Sequence, residues 1–278
     1  MFTSMTATVP GQPALPRLPD SPTPVGESPD TSPSQGSALS KIGTLNEGSL
    51  HAALKERYAQ PGDEFEVSME GFVIDIVRER DRPRELLIEI QTSSFGAMGK
   101  KLDRLLSQRR ILLVHPIAVE SVLHKQGARP RRSPKRGTIY SLFDELVSIP
   151  TMLDHPNLEL EVVLVRVARH QVKDPKARRG RGGFRTTDRT LEAVLETHRF
   201  RNVEDLRRLL PKGLPEVFTT LDLAETGVVS RNQAQRLAYC FKACGLIEPT
   251  KRTRAGYHYQ MPTGPSSSLN QNQLDRAT

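Results

Sequence analysis

The sequence predicts an α/β protein, a mixed β-sheet flanked by helices, followed by a smaller, mainly α-helical domain. Three observations carry that prediction. The chain has 278 residues, enough for one large domain or two modest ones. Between about residues 42 and 175, segments with helical apolar spacing alternate with apolar segments of period two. From about residue 190 the spacing is helical and ends in two short strand-like segments around a basic turn.

Residues 1–41 contain eight of the 21 prolines and no periodic apolar pattern, so they bury too little surface to offset the entropy of ordering. A disordered tail is expected there. It has neither the basic start nor the apolar stretch of a secretory signal, and nowhere does a run approach the ~20 apolar residues of a membrane span. A soluble, cytoplasmic protein with no membrane partner is therefore expected.

The element order follows from spacing. In residues 44–59, Leu50, Ala53, Leu54 and Tyr58 recur as on a helix, and Pro61-Gly62 stops it. Phe65, Val67 and Met69 alternate as in a strand and lead into the apolar run 72–77, and polar residues 81–84 separate that run from the strand "ELLIEIQTSS". Residues 96–109 read as a helix through Met98, Leu102, Leu105 and Leu106. Residues 110–118 read as a strand buried on both faces, and 158–172 as a long alternating strand, with a helix in 141–156 between them. Residues 176–189 read as a basic linker. "DRTLEAVLETH" and "VEDLRRLL" read as short amphipathic helices opening a second domain over 190–262, and 263–278 as a second disordered tail.

The formal net charge is +8, and the excess is clustered. Arg129, Arg131, Arg132, Lys135 and Arg136 form one group, and Arg178, Arg179, Arg181, Arg185 and Arg189 another. Such groups suit phosphate backbones, because neutralising phosphates releases condensed counterions; the plainer reading is a pair of solvated loops. Cys240 and Cys244 are the only cysteines, one helical turn apart with no histidine set nearby, which fits buried thiols better than a zinc site or a disulfide.

The chemistry-bearing residues stand inside the strands. Asp75 interrupts the apolar run "GFVIDIVRE", and Glu89 with Gln91 interrupts "ELLIEIQTSS". A carboxylate in an apolar run is costly unless it is paired or bound to a cation. If the two strands pair, Asp75 and Glu89 approach each other, and two acids with waters suit magnesium or manganese. Gln91 is a candidate to orient a water, the Ile90 carbonyl a further ligand, and Glu47 a fourth participant. The structural alternatives are a helix-start acid for Glu47 and a network of Asp75 and Glu89 with Arg78 or Arg104.

This arrangement resembles the PD-(D/E)XK nuclease superfamily, in which an acid on one strand and an acid-X-lysine on the next surround magnesium. The matching residues are Glu47 in "LNEGSL", Asp75 in "VIDIV", and Glu89 with Gln91 in "IEIQT", over roughly residues 42–120. The resemblance is closest to Glu-X-Gln branches such as the competence-associated nuclease-like proteins. It implies a restriction-endonuclease-like fold, a metal held by Asp75, Glu89 and Glu47, and phosphodiester hydrolysis. Gln91 stands where lysine is usual, with Lys100 or Lys101 placed to supply the charge from the next helix.

The segment "TTLDLAETGVVSRNQAQRLAYCFKACGLIEPTKRTRAGYHY" resembles a winged helix-turn-helix. Ser230 caps and Gly245 ends its second helix. Arg231, Asn232, Gln235 and Arg236 would face a major groove, and Lys251, Arg252 and Arg254 in the wing would meet phosphates. Together the two parts lead us to expect a metal-dependent DNA phosphodiesterase. One site per chain then implies a homodimer or a protein partner for cutting both strands. The competing expectation is a non-catalytic DNA-binding regulator built on the same fold.

Overall fold

The computed structural model describes residues 48–176, 183–254 and 256–262. Glu47, the tails over residues 1–41 and 263–278, and Arg178, Arg179 and Arg181 lie outside the described residues.

A mixed sheet with strand order β1-β2-β3-β4-β6-β7 forms the body. Helix α1 (Ser49–Tyr58) precedes β1 (Glu64–Met69) and β2 (Phe72–Arg78). These two strands form a hairpin whose two-residue turn, Glu70-Gly71, has positive φ at both positions (49° and 84°). That is the twist-matched turn geometry, and glycine makes its second position easy. β3 (Leu86–Ile90) runs antiparallel to β2, as the sequence predicts. Helix α2 (Gly99–Leu105) then crosses over to β4 (Arg110–Lys125), which lies parallel to β3. β6 (Leu158–Lys173) is parallel to β4 and antiparallel to β7 (Phe184–Phe200). Beyond the end of β3, β4 is met instead by the two-residue strand β5 (Arg131–Arg132).

Two apolar clusters cover the two faces of the sheet. On one, Leu50 and Leu54 of α1 pack on Ile76, Ile88, Ile90, Leu112, Val114, Val163, Val165 and Val167. On the other, Leu102, Leu105 and Leu106 pack on Val77, Leu87, Ile111, Leu113, Leu158 and Leu160. β6 is the clearest example of period two, with 160, 162 and 164 on the α2 face and 163, 165 and 167 on the α1 face.

Residues 184–200 correct the sequence reading of a linker followed by a helix. They form β7, so residues 190–200 belong to the first sheet rather than to a second domain. The spacing misled for a physical reason. Three register shifts in the β6–β7 ladder leave Thr187, Glu192 and Leu195 as extra residues. The bulge at Glu192 puts Leu191 opposite Val167 and Val194 opposite Val165. Two apolar residues three apart thus share the α1 face, a spacing that imitates a helix. "VEDLRRLL" winds as a 3-10 helix, Val203–Leu209, and the helix expected in 141–156 is reduced to α3 (Phe143–Leu146) with 3-10 turns on either side.

The last segment is built from β8 (Val217–Thr219), α4 (Thr220–Glu225), α5 (Arg231–Ala243), β9 (Glu248–Thr253) and β10 (Gly256–Gln260), with strand order β8-β10-β9. Ser230 accepts a hydrogen bond from the Gln233 N–H and caps α5, and Gly245 follows its end with φ 70°. All described residues belong to one compact unit. The core runs without a break from α2 and α3 into α5, where Phe143 and Phe241 meet edge to face at 5.6 Å. Phe241→Ala should cost about 3–5 kcal/mol. Because the core is shared, circular dichroism and tryptophan-free near-ultraviolet probes should report a single, lowered unfolding transition rather than loss of the C-terminal part alone.

Cys240 and Cys244 are buried and unbridged, as expected from sequence, and burial pushes both thiols up to about 12. Native protein should therefore react with a thiol reagent only at the rate of unfolding, which timed alkylation in native buffer and in denaturant would measure. No helix of the described residues is long and apolar enough to cross a membrane.

Candidate functional site at the β2–β3 acids

The strand pairing brings the two acids of the apolar runs to adjacent strands, Asp75 on β2 and Glu89 on β3. Both are buried, at 8% and 9% exposure. β2 changes pleat phase at this point. Ile74 packs in the α2-side cluster, while Ile76, two residues on, packs in the α1-side cluster. A strand held in phase would keep both on one face. The break lets the two carboxylates reach different neighbours.

Asp75 turns to α1. Its Oδ2 accepts the Ile90 N–H at 2.8 Å and lies 3.2 Å from Nε2 of His51. Burial raises its pKa, but the His51 and Ile90 hydrogen bonds, with the charges of His51 and Lys55, outweigh burial and hold it below the usual carboxylate range. Glu89 meets Lys101 of α2. The Lys101 ammonium donates to Oε1 of Glu89 and, at 2.7 Å, to the Val73 carbonyl. Burial and the neighbouring Asp75 charge push Glu89 up to about 7 in spite of Lys101. The pair therefore divides as coupled carboxylates do, one ionised and one holding a proton near neutrality.

Oε2 of Glu89 is buried without a hydrogen-bond partner among the described residues. Such orphans are uncommon and call for an explanation, an ion or water being the usual one. Two adjacent carboxylates, one with an orphaned oxygen, fit a magnesium ion that keeps most of its waters. Among the described residues there is no group of three or more His, Cys, Asp or Glu side chains that could hold a metal by itself.

Gln91 lies just past β3, and its amide nitrogen donates to Ser93 Oγ at 3.1 Å and to the Ser94 carbonyl at 2.7 Å, closing the turn. Its backbone carbonyl is 2.7 Å from Nδ1 of His115, a buried ring in edge contact with Phe95. Arg78 and Arg104 are engaged elsewhere, Arg78 with Asp63 and Arg104 with Glu70. The partners of the acids are His51 and Lys101 instead. Lys101 was legible as a charge early in the following helix. His51 was missed, although His51 and Lys55 stand four apart beside the buried pair Leu50 and Leu54, on a face that must approach the sheet.

A cleft of about 690 Å³ opens beside His51, bounded by the start of α1 and the outer parts of β6 and β7, and Lys135, Arg169 and Arg189 line it. Asp188 ties α1 to β7 there by accepting from the Ser49 N–H at 3.2 Å and from the Ser49 hydroxyl. On the C-terminal segment, Arg231, Asn232, Gln235 and Arg236 lie exposed along the first turns of α5, and Lys251, Arg252 and Arg254 lie exposed on the β9–β10 hairpin. Arg236 pairs with Asp144 of α3, and the Arg252 guanidinium lies 5.4 Å from the centre of the Tyr257 ring.

The family described as "Domain of unknown function (DUF8091)" matches residues 48–201, a span that begins just before α1 and ends just after β7. An "Uncharacterized protein" of Treponema pallidum (strain Nichols) is 32% identical over 234 residues, covering 82% of this chain and 90% of that protein. No solved structure matches the chain.

Proposed function

We propose that this chain, which belongs to the DUF8091 family, is a metal-dependent phosphodiesterase acting on DNA. The observation that carries the reading is the pair of buried acids on adjacent strands, Asp75 on β2 and Glu89 on β3, with Lys101 bound to Glu89 and one oxygen of Glu89 left unpartnered among the described residues. These residues resemble the acid, acid and lysine set of the PD-(D/E)XK pattern, with the lysine arriving from α2 rather than from the strand position of Gln91. Asp75 and Glu89 would hold Mg²⁺ or Mn²⁺, which supplies polarisation of the phosphodiester and a water acidic enough to attack it. Lys101 holds the Glu89 carboxylate in place and brings positive charge to it. His51 fixes the other carboxylate, and Gln91 closes the turn that ends β3.

The C-terminal β8-α4-α5-β9-β10 order supports a winged helix reading, with α5 entering the major groove and the β9–β10 hairpin as the wing. Arg231, Asn232 and Gln235 would reach base edges, and Lys251 and Arg254 phosphates. Arg236, paired with Asp144, serves the packing of α5 instead.

The test is cleavage of supercoiled plasmid and end-labelled linear DNA with magnesium, with manganese, and with a chelator. Metal-dependent cutting is expected. DNA binding with no cutting under any metal would overturn the catalytic reading in favour of a DNA-binding regulator. The Lys101–Glu89 ion pair, which fills the place of a cation, is the observation on that side.

A further inference from the structure

The α1-side face of β6 changes character along its length. Val163, Val165 and Val167 are apolar and covered by α1, and the next residues in the same alternation are Arg169 and Gln171. Helix α1 starts at Ser49, so among the described residues this polar continuation lies beyond its cover, under the cleft. Arg169 stands directly opposite Arg189 in the β6–β7 ladder. Like charges at opposed positions destabilise a sheet. Burial and the Arg189 charge both lower the Arg169 pKa, and Nε of Arg169 is buried without a hydrogen-bond partner among the described residues. Asp188 is the acid of this cleft, and its carboxylate is taken up by Ser49.

Two opposed arginines with an unmet donor, and Lys135 on the same cleft, make an arrangement suited to phosphate oxygens. Phe184 also lines the cleft, with Lys125 Nζ 4.3 Å from the ring centre. A duplex keeps its base faces stacked inward and offers the Phe184 ring no free base to stack on. A single strand offers phosphates to the arginines and unpaired bases to the ring. His51, at the cleft edge, joins it to Asp75.

We infer that the cleft between α1 and the outer half of β6–β7 binds single-stranded nucleic acid, with Arg169 and Arg189 on consecutive phosphates and Phe184 against a base, and delivers that strand to the β2–β3 acids. The inference names the substrate form for the proposed phosphodiesterase and rests on that reading for its second clause.

The test is fluorescence anisotropy of the full chain in chelator, with a labelled single strand of about 15 nucleotides and the corresponding duplex, comparing wild type with Arg169→Gln/Arg189→Gln and with Phe184→Ala. The double variant should lose about tenfold or more of its affinity for the single strand, with the log–log salt slope shallower by roughly 1.4 for two lost phosphates. Duplex binding, which we assign to α5 and the hairpin, should be unchanged, and Phe184→Ala should weaken the single strand only. The double variant should also unfold at or above the wild-type temperature, since it removes a like-charge pair, which excludes misfolding as the cause. Unchanged single-strand affinity overturns the proposal. Equal loss for both nucleic acids overturns it too, because the cleft would then take a duplex. Cutting plays no part in this readout, so its outcome is separate from that of the metal-dependent cleavage assay.

Discussion

Asp75→Asn is expected to reduce metal-dependent DNA cutting by about 100-fold or more, a loss on the scale of removing a group that stabilises the transition state. The substitution keeps an oxygen for the Ile90 N–H and the shape of the buried site, so folding should change little. Asp75→Ala would instead leave that N–H unpaired, at about 1–3 kcal/mol. Comparing plasmid cutting, thermal unfolding and duplex binding across wild type and the two variants separates the chemical role of the carboxylate from its structural one. Full activity in Asp75→Asn would remove Asp75 from the catalytic assignment. Metal dependence gives a second readout, because a cation bound only to the folded chain raises its stability by mass action, and the asparagine variant should lose that increment.

The second large effect concerns Glu89. Its pKa rises from the ordinary 4.5 to about 7 in the folded chain, mainly through burial and the Asp75 charge. A carboxyl whose folded pKa is raised binds more protons folded than unfolded between those two values. Its contribution is therefore complete below about pH 4.5 and is lost as pH rises through 7. In chelator, stability should fall by about 1–3 kcal/mol between pH 5 and pH 8 from this group alone. Glu89→Gln should flatten that slope, and added magnesium should restore stability at pH 8 in wild type but not in the glutamine variant. Denaturant unfolding at the two pH values measures all of this. A wild-type slope that Glu89→Gln leaves intact would assign the pH dependence to another group. Removing the partner acts the other way. Lys101→Ala leaves a buried carboxylate without its counter-charge, costing about 3 kcal/mol or more at pH 8 and less at pH 5, where Glu89 holds its proton.

What the sequence makes legible is the part governed by local rules. Asp75 and Glu89 stand out because an acid inside an apolar strand violates the burial pattern, and strand pairing alone then brings them together. Lys101 is readable because a lysine early in the crossover helix has few other places to point. The contribution of His51 is not readable, since it depends on α1 lying against β2 across some 24 residues and on the pleat phase break at Asp75, which no spacing rule encodes. The bulges of β7 are the second failure of local reasoning. They turn period two into apparent helical spacing, and they moved the expected domain boundary into the middle of a strand. The opposed arginines are invisible for the same reason, because Arg169 and Arg189 face each other only once the bulged register is known.

Those bulges have a consequence for how copies of the chain meet one another. β7 is the last strand of the sheet and is seventeen residues long, so among the described residues one side of its ladder faces no strand. A flat, unbroken edge of that length is a template on which a second chain could add its own strand and begin a fibre. Here the extra residues at 187, 192 and 195 interrupt the regular rhythm of the ladder, and Arg185, Asp188, Arg189, Glu192, Glu196 and Arg199 scatter charge of both signs along the strand. An incoming strand finds only short uninterrupted stretches to pair with. The irregularity that hides β7 from the sequence also guards the edge of the sheet against aggregation.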